Sequence, residues 1–241
     1  MSDSVTRFSN RVANYVKYRP DYPREVVGHL EANCGLTRDS IVADVGCGPG
    51  QSSRMFLENG NRVIGVEPNE AMRSAAREYL GEFENFTVVD GTSENTTLPE
   101  ASVDFIVAAQ AFHWFDAEKT RREFNRILKP SGRIVLIWNE RQLDSTPFLI
   151  EYEQLLLKYA NDYTKVRHEN VDALRLGDFF QGEYSSAVFE NVQVHDFEGI
   201  KGRMFSSSYM PGETDSNAKQ LTAELRELFA KQERNGKIEV I

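Results

Sequence analysis

Cysteine is nearly absent from this chain, with only Cys34 and Cys47 among 241 residues. They form no CxxC pair and no disulfide framework, so a reducing, cytoplasmic setting is the expectation. Long apolar runs are missing too. No window approaches about 18 consecutive apolar residues, which argues against a membrane span, and the opening MSDSVTRFSNRV lacks the apolar stretch of a secretory leader. Basic excess is also lacking: 28 Lys and Arg stand against 37 Asp and Glu, a formal net charge of −9. A phosphate-backbone binder needs a basic face, so nucleic acid is disfavoured as a partner and a small molecule is expected. No internal repeat or low-complexity tract occurs, and no metal-ligand set is assigned.

With 40% hydrophobic residues the chain can bury a substantial core, and α/β folds of this length are often one domain. From residue 41 short β-rich runs alternate with helical stretches. IVADV is a strand ending in a glycine loop, and QSSRMFLENG a helix closed by Gly60. RVIGVE is a second strand, and NEAMRSAAREYL a helix with Asn69 as N-cap. FTVVD and VDFIVAAQ are the third and fourth strands. AEKTRREFNRIL is a helix stopped by KPSG, and RIVLIW a fifth strand. This alternation predicts βαβ units, a parallel sheet and ligands at the strands' carboxyl ends. Before it, residues 9–33 read as two short helices broken at YRPDYP. After it come a helix at 147–160 with Pro147 in its first turn, a strand pair or one long strand in SSAVFENVQVHDFE, and an amphipathic helix in AKQLTAELRELFAKQERNG. KIEVI ends the chain inside what reads as a strand, so a short further C-terminal tail is expected.

DVGCGPG, residues 44–50, puts three glycines in five positions after the first strand. The dinucleotide fingerprint is GxGxxG. Here Gly46, Gly48 and Gly50 make GxGxG, with Gln51 where a third dinucleotide glycine would stand. No Gly-Lys-Ser/Thr follows, so the nicotinamide and nucleoside-triphosphate readings both weaken.

The stretch resembles motif I of the class I, Rossmann-like S-adenosylmethionine-dependent methyltransferases. That resemblance implies that Asp44 and the Gly46–Cys47–Gly48–Gly50 backbone approach the amino-acid end of the cofactor. It implies that Glu67, ahead of Pro68 in VIGVEP, holds the ribose hydroxyls, a task suited to a carboxylate that accepts two hydrogen bonds. Asp90 in VVDGTSE ends the third strand where the family contacts the adenine amino group, with Gly91 and Thr92 offering backbone groups. Taken alone, Glu67 or Asp90 reads more readily as a helix cap. ANYVKYRPDYP, residues 13–23, is similar to the N-terminal segment of the type-11 group, which includes trans-aconitate methyltransferase-like enzymes. In that group the segment folds over the cofactor, which makes Tyr15, Tyr18, Arg19 and Tyr22 lid residues, with Arg19 placed to pair the cofactor carboxylate. AAQAFHWFD, residues 108–116, resembles motif IV. By that resemblance Gln110 and Ala111 line the methionine part, while His113 and Trp114 face the acceptor. His113 is either a general base or a structural hydrogen-bonder, and Trp114 could equally be a core aromatic.

WNERQ (138–142) and GRMFSSSYMPG (202–212) complete the pattern. Related enzymes carry a similar stretch near the acceptor cavity, and Arg141, Arg203, Ser208 and Tyr209 suit an anionic ligand; the alternative is a solvated loop. The resemblance thus implies an α/β, Rossmann-like fold with a mostly parallel seven-stranded sheet, helices on both faces and an N-terminal helical lid. It implies one domain over 1–241, divided into a lid (1–35), a cofactor-binding half (36–140) and an acceptor cap (141–241). The expected activity is methyl transfer from S-adenosylmethionine to the carboxylate or hydroxyl oxygen of a small acid, by a monomer or weak homodimer. The alternatives are a carbon or nitrogen acceptor, or a protein that binds S-adenosylmethionine without catalysis.

Overall fold

The computed structural model describes residues 17–160, 163, 173–182, 184–207 and 209–241. The chain divides into two compact units. The first holds Asp21–Trp138 and the described part of His168–Phe189; the second holds the described parts of Asn10–Pro20 and Asn139–Arg167, together with those of Glu190–Ile241.

In the first unit α1 (Glu25–Cys34) precedes the expected alternation of β1 (Ile41–Val45), α2 (Gln51–Glu58), β2 (Arg62–Val66), α3 (Glu70–Tyr79), β3 (Phe86–Val89), β4 (Val103–Ala109), α4 (Ala117–Ile127) and β5 (Leu128–Ile137). The five strands form one sheet in the order β3-β2-β1-β4-β5, every pair parallel. The order reverses between β1 and β4, the switch point at which such sheets open a ligand crevice. The middle of the sheet is apolar apart from Asp44 because both faces are covered. Val42, Phe105, Val107 and Ala109 pack with α1 and α2 residues Val26, Leu30 and Phe56. Their alternates Ala43, Val45 and Ile106 pack with Phe124 and Ile127 of α4. This is the period of two expected of strands. A helix the sequence pattern did not reveal, α6 (Ala173–Phe180), adds Phe179 to the second face.

The second unit contains α5 (Pro147–Tyr159), β6 (Gln193–His195), α7 (Phe197–Ser206), α8 (Ala218–Gln232) and β7 (Ile238–Val240) around their own apolar core. β6 and β7 pair antiparallel. Among the described residues the strands are therefore five in one sheet and two in another, not one sheet of seven. SSAVFENVQVHDFE yields only the three-residue β6, and GRMFS (202–206) is helical, not a loop. Asp196 caps α7 by accepting from the Gly199 N–H at 2.7 Å.

Asn69 is the N-cap of α3, accepting from the Met72 N–H at 3.1 Å. Asn69→Ala is expected to lower stability by about 1 kcal/mol. In urea unfolding this appears as a lower midpoint at unchanged slope.

Candidate cofactor cradle and an arginine cluster

The loop after β1 is built on left-handed backbone. Gly46, Gly48 and Gly50 have φ of 73°, 54° and 98°, a region costly for any residue with a Cβ. Two of the three are also walled in. A Cβ at Gly46 would come within 2.8 Å of the Ala111 Cβ, and one at Gly50 within 2.5 Å of Leu80 Cδ1. A Cβ at Gly48 would meet nothing within 4 Å. That open face, lined by backbone, is where a ligand can lie close to the chain.

Asp44 lies at the end of β1, fully buried, between Gly65 of β2 and Val107 of β4. Its Oδ2 accepts from Ser52 Oγ at 2.7 Å and Ser53 Oγ at 2.6 Å, both on the first turn of α2. Its Oδ1 is buried with no hydrogen-bond partner. A buried carboxylate oxygen without a donor is costly, and it suits a cationic or N–H-bearing ligand group. Burial pushes the Asp44 carboxyl up to about 6, with Ser53 and Ser52 pulling the other way.

Glu67, one residue beyond β2, is also buried. One oxygen accepts from the Gly48 N–H at 3.0 Å and the other from the Asn69 N–H at 2.9 Å. Each keeps a lone pair for a further donor. Burial raises its carboxyl above the ordinary value, offset in part by those two N–H groups. Arg73, which the sequence pattern did not single out, is buried behind it. It donates to the Glu67 carbonyl at 2.7 Å, to Asp90 Oδ1 at 2.9 Å and to Glu70 Oε2 at 2.5 Å. The Asp90 carboxylate is otherwise exposed. Gly91 is tightly packed, since a Cβ there would come within 2.8 Å of the Thr96 carbonyl oxygen. Thr92 exchanges backbone hydrogen bonds with Asn95 at 3.0 and 3.2 Å. Pro68 is half-buried. The Cys47 side chain turns to the sheet: a Cβ at Gly65 would come within 2.7 Å of its sulfur. Burial pushes its thiol well above the ordinary range.

After β4 the chain passes through Gln110, at a left-handed φ of 56°, which is rare outside glycine. Ala111 then packs on Gly46, and a 3₁₀ turn spans Phe112–Trp114. Phe112 is the core anchor, whereas His113 and Trp114 are half-buried with ring centroids 4.9 Å apart. The contact of Gly46 with Ala111 brings motif I and motif IV together, while the core-aromatic role falls to Phe112. Tyr22 packs against the face of the sheet that carries α1. Tyr15 lies outside the described residues.

The second unit holds a separate polar cluster. Arg141 donates to Glu153 and, at 3.2 Å, to the Tyr163 hydroxyl, which itself donates to Glu153 at 2.9 Å. Its guanidinium lies 5.2 Å from the Tyr152 ring centroid, and its Nη1 is buried without a partner. Tyr163 and Tyr209 lie with ring centroids 4.6 Å apart. Arg203, on α7, donates to Gln193, and no carboxylate of the described residues forms an ion pair with it. Burial, together with the guanidinium groups of Arg19 and Arg141, holds Arg203 down at about 10, against the opposite pull of Tyr152 and Tyr209. Tyr18 lies against Gly202 of α7. Ser208 lies outside the described residues.

The Asp44 environment makes a prediction about stability. Its carboxyl has an ordinary value of 3.8 and a folded value of about 6. Between those values the folded chain holds a proton that the unfolded chain has released, so Asp44 favours folding less as pH rises through that window. Ser53→Ala removes a donor that supports the ionised form. It is expected to destabilise by about 1–3 kcal/mol, more at pH 8 than at pH 5, measured by urea unfolding at both.

Residues 43–136 match the methyltransferase domain family. The chain is 30% identical over 156 residues to a methyltransferase-like protein of Schizosaccharomyces pombe, an alignment covering 64% of this chain and 59% of that one. It is 27% identical over 223 residues to a Saccharomyces cerevisiae protein named as a probable S-adenosylmethionine-dependent methyltransferase, covering 88% of this chain and 70% of that one. A solved structure named as a type II methyltransferase, from Anaeromyxobacter dehalogenans, shares the fold at a TM-score of 0.63 and 23% identity, over 92% of this chain and 94% of that one. No described helix is long and apolar enough to cross a membrane. The chain spans about three fifths of the length of the first of these relatives. Residues 43–136 carry a methyltransferase domain on the α/β fold of the solved methyltransferase, and the glycine loop with these relatives supports S-adenosylmethionine as the cofactor of that domain.

Proposed function

We propose that this methyltransferase transfers the methyl group to an oxygen of a small, anionic acceptor, in a reducing, cytosolic setting. The observation that carries the anionic class is Arg203: a partly buried guanidinium near Arg19 and Arg141 that donates to the neutral Gln193, with no carboxylate of the described residues to neutralise it. An uncompensated buried charge is expensive, and a carboxylate-bearing ligand would remove the penalty through bidentate pairing. Arg141, Tyr209 and Ser208 are assigned to the same recognition, and Tyr15, Arg19 and Tyr22 to an N-terminal lid.

On the cofactor side, Asp44 Oδ1 is assigned to the ammonium group and the Gly46–Gly50 backbone to the methionine end. Glu67 takes the ribose hydroxyls, and Asp90, Gly91 and Thr92 the adenine edge. Gln110 and Ala111 line the methionine side. Bound S-adenosylmethionine supplies a methyl on a sulfonium, already electrophilic, which an oxygen takes in one in-line displacement: the O–C bond forms as the C–S bond breaks. A carboxylate oxygen attacks without losing a proton, so the protein's work is alignment and exclusion of water. Alignment alone can supply about 7–11 kcal/mol of the barrier. His113 becomes a general base only for a neutral hydroxyl acceptor, and Trp114 shapes the acceptor side. The alternative is a carbon or nitrogen atom of the same anionic acceptor, which Arg203 would bind equally well.

Two outcomes test this reading. An ammonium group needs Asp44 ionised, so affinity for S-adenosylhomocysteine is expected to be level above about pH 7 and to fall by up to about tenfold per unit below about pH 6. Asp44→Asn should abolish that dependence in calorimetry run across pH. Separately, Arg203→Gln should raise KM for a carboxylate acceptor by about 10–100-fold, the range for a hydrogen bond to a charged group. S-adenosylhomocysteine affinity should stay unchanged. An unaltered KM would remove Arg203 from acceptor recognition.

A further inference from the structure

The turn that presents His113 and Trp114 is weak on its own. It is a three-residue 3₁₀ segment closed by Trp114 N–H to Ala111 O at 2.9 Å and Phe115 N–H to Phe112 O at 3.1 Å. Such short turns have poor hydrogen-bond geometry. The residue leading into it, Gln110, sits at φ 56°, a backbone state that persists only where surroundings impose it.

Gln110 is held by its N–H to the Ile137 carbonyl of β5 at 2.9 Å, and the turn itself is held from α6. Arg175 and Phe179 are four residues apart, hence on one face of the helix, and both meet Phe112. The Phe179 ring packs at 4.6 Å between centroids, edge to face. The Arg175 guanidinium carbon lies 5.3 Å from the Phe112 ring centroid. The same guanidinium, through Nη2, donates to the Phe112 carbonyl at 3.4 Å and to the Phe115 carbonyl at 3.2 Å. These two carbonyls bracket the turn, and His113 and Trp114 are the residues between them.

We propose that Arg175 is the positioning residue of the His113–Trp114 turn, holding both its ends so that the two side chains are presented in one arrangement for methyl transfer. This rests on the reading that these side chains face the acceptor. Arg175 touches neither cofactor nor acceptor in this account and acts through the turn. A lysine cannot replace it, because a single ammonium cannot lie on an aromatic face and also reach two carbonyls as a planar fork does.

The test uses the full chain with Arg175→Met, which keeps much of the apolar stem, and Arg175→Lys. With S-adenosylmethionine and a small carboxylic acid that the wild type methylates, kcat is expected to fall by about 10–100-fold in Arg175→Met, as for a reactant displaced by about 1 Å. Acceptor KM and S-adenosylhomocysteine affinity should stay within about twofold. Arg175→Lys should recover only part of the loss. A second readout needs no turnover. In a Trp138→Phe background Trp114 is the sole tryptophan, and its quenching by acrylamide should increase on Arg175→Met. Unchanged quenching would overturn the proposal, as would a parallel loss of cofactor affinity, which would make Arg175 a support of the whole unit. Should the wild type methylate no carboxylic acid, the acceptor reading falls, while Trp114 quenching still decides the role of Arg175.

Discussion

The Glu67 carboxylate is the contact on which the cradle depends. It reaches from the end of β2 to the Gly48 N–H in the loop after β1, and to the Asn69 N–H at the entry to α3. The Gly46 N–H already holds this loop to the Val66 carbonyl at 2.8 Å, and the carboxylate extends that tie to Gly48 and to the entry of α3. The tie is made in a buried place, where desolvation disfavours the charge, and the two backbone donors offset that cost. A shorter aspartate would have to draw the segments together, and a glutamine would set an amide N–H against one of the two donors. Arg73 then holds the Glu67 carbonyl from behind and links it to Asp90 at the end of β3. Three strand ends thus share a hydrogen-bonded frame before any ligand arrives.

Pre-formation of this kind decides what the remaining residues must be. Because a Cβ at Gly46 would come within 2.8 Å of the Ala111 Cβ, Gly46 tolerates no larger side chain without a shift of the loops after β1 and β4. Asp44, with one oxygen held by Ser52 and Ser53 and the other without a donor, is kept partly unsatisfied by the same rigidity. The fold tolerates that local cost because the sheet around it is fully apolar and covered on both faces. Burial of this kind is what raises the carboxyl towards neutrality, and it makes the site sensitive to the charge of whatever enters it.

Much of this was legible in the sequence, and the reason is locality. A strand covered on both faces writes an unbroken apolar run, and a left-handed loop writes glycines. An N-cap writes an asparagine, so β1, β4, the 46–50 loop and Asn69 could be read directly. Arg73 and Arg175 could not, because their meaning lies in partners 17 and 60–63 residues away. α7 escaped notice because Gly199 and Gly202 are poor helix formers; the signal available was Asp196 as a cap. SSAVFENVQ failed in the opposite sense. Its alternation is real, yet Val188 is 97% exposed, and no described strand pairs with residues 184–192. Alternation records that one face differs from the other. It does not record that a neighbouring strand exists.

Charge gives the proposed reaction its direction. On the proposed reading, Asp44 and Glu67 offer negative charge to the cofactor and Arg203 offers positive charge to the acceptor, while Arg141 is already paired with Glu153. Methyl transfer from a sulfonium to a carboxylate extinguishes both reacting charges, leaving a thioether and an ester. Arg203 would therefore hold the acceptor oxygen's charge before the reaction and lose that partner after it, returning to the uncompensated burial that disfavours it alone. The guanidinium that recognises the acid would in that way also weaken its grip on the ester. No proton need move at any point, so His113 can be absent from the chemistry while its turn still matters for alignment.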